Sequence, residues 1–219
     1  MKETDIKGVF KDKNRLFTEN PDNCKGIKVY NEHLIKRKGK EYRSWNPYRS
    51  KLATAILKKF TFKIKQDATV LYLGASTGTT VSHISDIVKD GMVFAVENSP
   101  IAANELIKLG RRRQNIIPIS EDANHPGRYG FFVPSVDIVY QDISQRNQAE
   151  IFIENITKYL KKDGMGIIMV KARSIDVSLK PTEAYELVAN RLKEQKLKIV
   201  DTIDLSPYEK DHAAIVITF

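Results

Sequence analysis

The sequence predicts an α/β chain: a doubly wound sheet of seven strands, the last of them antiparallel, preceded by a small antiparallel β unit. Three observations carry that prediction. Between residues 68 and 171, five short apolar runs alternate with segments of helical periodicity. A glycine-containing turn follows the first of those runs, where sheets of this kind meet their ligands. The last two strand candidates are joined by too few residues for a helical crossover, so the chain must reverse direction between them.

Each element has its own signal. From Gly8 to Asn46, short apolar runs such as Arg15-Leu16-Phe17 and Ile27-Lys28-Val29-Tyr30 are broken by turn formers, with a hairpin turn at Lys38-Gly39. A helix through Leu52, Ala55, Ile56 and Lys59 then opens the alternating part, so the boundary falls near Asn46-Pro47, dividing the chain into units 1–47 and 48–219. Strands are expected at 68–73, 92–96, 115–119, 135–140 and 165–171, mostly continuous apolar runs, as in parallel strands covered on both faces. Ser99-Pro100 supplies an N-cap and a first-turn proline for one helix, near whose end Gly110 sits. A second helix runs from about 146 to 160 and stops before Gly164; a third spans 181–194, with Ala184, Leu187, Val188 and Leu192 as its core stripe. Strands at 197–204 and 213–219 finish the chain.

With 219 residues and 42% apolar content, the chain suffices for one full α/β domain with a small appendage. No run approaches the roughly 18 apolar residues that span a bilayer, and Met1-Lys2-Glu3-Thr4-Asp5 is no signal peptide, so a cytoplasmic protein without a membrane partner is expected. A lone Cys24 excludes an internal disulfide and a structural zinc site. The formal charge is +9, of which +6 falls in the first 50 residues, which points to a polyanionic partner. Arg111-Arg112-Arg113 and Lys36-Arg37-Lys38 are candidate phosphate contacts.

The turn Gly74-Ala75-Ser76-Thr77-Gly78-Thr79-Thr80 joins a strand to a helix. Gly74 and Gly78 lack a Cβ, which would let main-chain N–H groups approach a polar ligand. The spacing is not that of the nicotinamide fingerprint, since Ser76 and Thr79 stand at two of its glycine positions. Glu97 ends the second strand, where a carboxylate accepts hydrogen bonds from both ribose hydroxyls of an adenosine cofactor. Asp122-Ala123, just past the third strand, suits the adenine amino group.

The stretch Leu73-Gly74-Ala75-Ser76-Thr77-Gly78-Thr79-Thr80-Val81-Ser82-His83-Ile84-Ser85-Asp86 resembles the cofactor motif of fibrillarin, a guide-directed RNA 2′-O-methyltransferase. Tyr42-Arg43-Ser44-Trp45-Asn46-Pro47-Tyr48-Arg49-Ser50-Lys51-Leu52-Ala53 is similar to that family's linker and first helix, and Val139-Tyr140-Gln141-Asp142-Ile143-Ser144-Gln145 to its fourth-strand motif. No glycine- and arginine-rich N-terminal extension is present, so the resemblance is to the compact archaeal form. It implies a Rossmann-like class I methyltransferase sheet that binds S-adenosyl-L-methionine through Gly74, Ala75, Gly78, Thr79, Thr80, Glu97, Asp122, Ala123, Asp142 and Gln145. It also implies action on rRNA, and on tRNA, as the catalytic subunit of a box C/D particle. That particle contains a guide RNA and its target, a Nop-domain scaffold and a kink-turn-binding ribosomal-like protein; DNA has no part in it. A stand-alone RNA 2′-O-methyltransferase and a non-catalytic RNA-binding assembly subunit are the alternatives.

A 2′-hydroxyl is a weak acid, so its methylation needs a positioned base and an in-line approach. Lys171 emerges from the apolar run Gly166-Ile167-Ile168-Met169-Val170 at the carboxyl end of a buried strand, where α/β active sites lie, and is the expected base. Asp142 is expected to accept a hydrogen bond from it, Lys51 to supply a neighbouring cation or orient the ribose, and His212 to support them, a set similar to fibrillarin's Lys-Asp-Lys-His group. His33, His83 and His125 are expected to be structural or surface residues. Amino-group methylation lacks its Asn/Asp-Pro-Pro-aromatic loop here, and carbon-5 methylation would require a cysteine nearer the sheet than Cys24.

Overall fold

The computed structural model describes residues 1–60 and 62–219. Strands β1 (Lys2–Glu3), β2 (Val9–Asp12), β3 (Arg15–Glu19), β4 (Leu34–Arg37) and β5 (Lys40–Trp45) form an antiparallel sheet in the order β1-β2-β3-β5-β4. Lys38 and Gly39 both adopt positive φ, 50° and 77°, the two-residue hairpin geometry that matches strand twist. Ile27-Lys28-Val29-Tyr30 forms no strand, contrary to its apolar pattern. The Glu32 carboxylate accepts the N–H groups of Val29 (3.0 Å) and Tyr30 (2.8 Å), removing the donors that a ladder would need.

A short 3₁₀ turn (Pro47–Arg49) leads into α1 (Lys51–Leu57). There follow β6 (Thr69–Leu73), α2 (Thr79–Ile87), β7 (Met92–Glu97), α3 (Pro100–Arg112), β8 (Ile116–Ser120), β9 (Val136–Gln141), α4 (Gln148–Tyr159), β10 (Leu160–Lys171), α5 (Ala172–Ile175), α6 (Pro181–Glu194), β11 (Lys198–Asp204) and β12 (His212–Thr218). The seven-stranded sheet has the order β11-β12-β10-β9-β6-β7-β8. Strands β6 to β10 pair in parallel, and β12 lies antiparallel between β10 and β11, as the short last connection requires.

Alternation along the strands sorts two core layers. Val70 and Tyr72 face α1, α2 and the N-terminal sheet, so that Val9, Leu16 and Trp45 share one buried cluster with Leu52 and Ile84. Leu71 and Leu73 face α4 and α6, packing with Phe152, Ile156, Val188 and Leu192. Each fully buried side chain of this size contributes about 1.5–3 kcal/mol. Leu187, expected in the α6 stripe, is instead 52% exposed. Gly110 lies near the end of α3, as expected; a Cβ there would lie 2.8 Å from Pro118 Cγ, so the glycine lets α3 pack close to β8. Among the described residues, no helix is long and apolar enough to cross a membrane, and no group of three or more potential ligands could hold a metal ion.

The N-terminal sheet is locked onto α2 by a buried polar network. Arg43 donates to Glu32 (2.7 Å) and to Asp86 (2.8 Å), all three side chains being inaccessible to solvent. Asp86 also pairs with Arg113 and accepts from Thr18 Oγ1. His83 stacks on Trp45 and contacts the hydroxyls of Thr18 and Tyr30. Burial, reinforced by the Arg43 and Arg113 charges, holds its pKa well below the ordinary histidine value. Arg113 is only 2% exposed, so the third arginine of the 111–113 run is a structural counter-ion and not a phosphate contact.

Candidate functional site

The strand order reverses direction of growth at β6 and β9, which opens a crevice between their carboxyl ends. Gly74 leaves β6 there and Asp142 leaves β9. Gly74 has φ +80°, and a Cβ on it would come within 2.5 Å of the Asp142 main-chain oxygen. The N–H groups of Gly74 and Ala75 already donate to Val96 O at 3.0 Å. Gly78, at φ +90°, makes room for Leu106 and Leu109 of α3. Both glycines therefore serve the packing of neighbouring elements, and Gly74 also lines the cleft beside the turn. Gly74→Ala should cost roughly 2 kcal/mol or more, from left-handed backbone strain plus displacement of Asp142, seen as a lower denaturant midpoint at unchanged m.

Beside the turn lies a cleft of about 280 Å³ lined by Gly74, Glu97, Asp122, Ala123, Asp142 and Gln145, with Ser76 and Asn98 adding to its wall. Glu97 Oε2 accepts the Ser76 N–H at 2.7 Å and Oε1 the Ser99 N–H at 2.8 Å. Each oxygen keeps a lone pair for a hydroxyl donor. Asp122 accepts from the main chain and side chain of Asn124, and the Asn124 backbone N–H is the first cause of its lowered pKa. Asn124 in turn donates to Gln145 Oε1 at 3.0 Å, tying both walls together. Ala75, Gly78, Thr79 and Thr80 stand outside this lining. Thr80 Oγ1 donates to Ser50 Oγ (3.0 Å) and so joins α2 to the start of α1. A larger cavity, about 730 Å³ and lined in part by Lys7, Gln66, Lys89 and Asn115, lies at the amino ends of the strands, away from these convergent carboxylates.

At the far end of the cleft, Lys51 Nζ donates to Asp142 Oδ1 at 2.8 Å, both side chains 18% exposed. Asp142 thus pairs with Lys51 and not with Lys171. Lys171 and His212 are direct cross-strand partners on β10 and β12, the reversed strand bringing the histidine to the active end. The His212 Nδ1–H donates to Lys210 O at 2.7 Å, which leaves Nε2 as the free ring nitrogen. Burial, followed by the Lys51 charge, lowers the His212 pKa. Gln148, fully buried, was not foreseen: its amide accepts from Lys171 N (3.0 Å) and donates to Lys171 O (3.2 Å), fixing the lysine's peptide. Asn124 was likewise missed; neither residue has a sequence signal beyond lying next to a helix or loop terminus. Lys36, Arg37, Lys38, Arg111 and Arg112 are exposed, Arg37 pairing with Asp12 at 3.3 Å.

The sheet order, the reversed β12 and the acid-tipped β7 beside a switch-point cleft define an S-adenosylmethionine-dependent methyltransferase of the α/β class. The fibrillarin family model matches residues 1–219, and the chain belongs to the fibrillarin family. The fibrillarin-like rRNA/tRNA 2′-O-methyltransferase of Methanothermobacter thermautotrophicus is 47% identical over 211 residues, covering 96% of this chain and 93% of that one. A chain from a fibrillarin/Nop5p complex matches with a TM-score of 0.87 at 43% identity, over 97% of this chain and 98% of its own. Aeropyrum pernix fibrillarin with natively bound S-adenosyl-L-methionine has a TM-score of 0.84 and 39% identity, covering 93% and 89%.

Proposed function

We propose that this chain methylates ribose 2′-oxygens of rRNA and tRNA, as the catalytic subunit of a cytoplasmic guide-RNA particle in which a Nop-domain scaffold and a kink-turn-binding protein hold it to the RNA. Residues 48–219 form the methyltransferase unit and residues 1–47 an accessory β unit. The observation that carries the reading is the cleft running from Glu97 to the Lys51–Asp142 pair, with Lys171 and His212 on adjoining strands. Its donor set fits the cofactor: a carboxylate with free lone pairs for two ribose hydroxyls, and Asp122 for the adenine amino group. S-adenosylmethionine supplies an electrophilic methyl group on sulfur.

Glu97 grips the ribose through the two oxygens already oriented by Ser76 and Ser99. Lys171, its backbone clamped by Gln148, takes the 2′-hydroxyl proton as the oxygen attacks in line. The Lys51–Asp142 pair holds the acceptor ribose, and His212, paired across from Lys171 on β12, keeps Nε2 free in support. The carbon–oxygen bond forms as the carbon–sulfur bond breaks, and the proton rests on Lys171.

The experiment is transfer of labelled methyl from cofactor into a defined guide–target RNA, each component being omitted in turn. Label on the 2′-oxygen only when guide RNA and partners are present is the expected result; label without them sinks the particle assignment. Glu97→Ala should weaken cofactor binding about 10–100-fold in calorimetry, since two charge-assisted hydrogen bonds are lost.

A further inference from the structure

Lys171 stands past the end of one of the two strands that flank it. Pairing of β10 with β9 stops at Ile168, opposite Gln141, where β9 ends. On the other side β12 continues to His212, and the Ala172 N–H donates to Asp211 O at 3.0 Å. Backbone groups alternate along an extended strand, so the N–H and C=O of Lys171 point to the side that β9 has left. Both need partners there. A carboxamide carries a donor and an acceptor in one plane, as a peptide does. Gln148, the first residue of α4, supplies the missing rung: its Oε1 accepts the Lys171 N–H at 3.0 Å and its Nε2 donates to Lys171 O at 3.2 Å.

The same amide is fastened to the cleft. Gln148 Nε2 also donates to Gln145 O at 3.0 Å, and Gln145 lines the cleft with its Oε1 bound by Asn124. Asn147 Nδ2 donates to Asn124 Oδ1 at 2.7 Å, so residues 145 to 148 are tied to the Asp122 side of the cleft twice. From below, Gln141 Nε2 donates to Gln148 O at 2.6 Å. Gln141 is fully buried, and its Oε1 has no partner among the described residues. An unpaired buried oxygen costs stability, so Gln141 is placed for its one donation and not for the core. We infer that Gln148 is a positioning residue for methyl transfer: its carboxamide extends the sheet past β9 and ties Lys171 to the wall of the cofactor cleft. This rests on the function proposed above, with Lys171 as the base. Gln148 grips main-chain atoms at both ends, so it governs where the amine stands and not how tightly cofactor or RNA binds. In-line transfer tolerates little error, a displacement of about 1 Å costing about 10²-fold in rate.

Single-turnover transfer of labelled methyl in the assembled particle reads the chemical step. Gln148→Met keeps length and burial but loses donor and acceptor. It should lower that rate about 10²-fold, with cofactor affinity in calorimetry and the KM for RNA unchanged. Gln148→Glu keeps the shape and an acceptor for the Lys171 N–H but turns an oxygen toward the Lys171 and Gln145 carbonyls. It should slow transfer too, and it decides the matter where the methionine variant does not fold. A double variant separates positioning from general loosening of the fold. Gln148→Met added to Lys171→Ala should cost nothing further, because no amine remains to be misplaced. Another fall of about 10²-fold in that background, or a wild-type rate in either single variant, overturns the inference and leaves the proposed function standing. Cofactor binding weakened as much as the rate also overturns it, since Gln148 would then act on the cleft alone. Full activity of Lys171→Ala overturns the base assignment first, and the role of Gln148 with it.

Discussion

Lys171→Ala is expected to lower methyl transfer by about 10²–10⁴-fold, the range for loss of a general base. Cofactor affinity should stay nearly constant, because Lys171 lies outside the cleft that joins Glu97, Asp122 and Gln145. The residue stands at the carboxyl end of β10, opposite His212, with its peptide held on both sides by Gln148. Position is thus secured by the main chain, and only the amine is left to react. Lys171→Arg separates charge from basicity: the guanidinium keeps the positive charge but does not give up its proton at accessible pH, so it should be as inactive as alanine. Rapid-quench measurement of a single turnover isolates the chemical step from RNA release. Full activity of either variant would remove Lys171 from the mechanism and shift attention to His212, whose Nε2 is free and whose lowered pKa keeps the ring neutral.

The parts of this molecule that depend on period and local chemistry were legible in the sequence. The five parallel strands, the capped helix after Ser99-Pro100, the Lys38-Gly39 hairpin and the reversal before β12 all follow from patterns a few residues long. The position of Glu97 was legible too: it ends β7 and lines the cleft, where a carboxylate at the tip of the second strand is expected. What was hidden depends on contacts distant in sequence. Arg113 reads as the last member of a basic run until Asp86, 27 residues earlier, is seen to meet it inside the protein. Gly78 reads as part of a ligand turn, but its packing against Leu109 of α3 has no local signal. The Lys51–Asp142 pair spans 91 residues, and no local pattern assigns Asp142 to Lys51 over Lys171. In each case the residue type was informative, but its partner was chosen by tertiary packing.

Asp86→Asn should destabilise the chain by about 3–5 kcal/mol, the cost of breaking a buried ion pair and leaving its partners uncompensated. For a domain of this size that corresponds to a fall of roughly 6–20 °C in Tm. Asp86 is the shared anion of two guanidiniums: Arg43 reaches one carboxylate oxygen and Arg113 the other, both in the absence of solvent. Asparagine fills the same volume and keeps a carbonyl acceptor, so the loss isolates charge from packing. Glu32 remains to balance Arg43, whereas Arg113 retains, among the described residues, the uncharged Asn20 side-chain oxygen at 3.0 Å. Arg113→Met should therefore cost less than Asp86→Asn, since it removes the least compensated cation along with its need for a partner. Buried ions are poor net stabilisers compared with apolar packing, but their directionality fixes how one element sits on another. Here the anion belongs to α2, whose amino end continues from the cofactor turn, and Arg43 belongs to β5 of the N-terminal sheet. Loosening the network should accordingly weaken cofactor binding as well as stability, a coupling visible as a larger ligand-induced rise in Tm for the wild type than for the variant at equal cofactor concentration. A loss below about 1 kcal/mol would mean that the sheet is held by its apolar contacts alone.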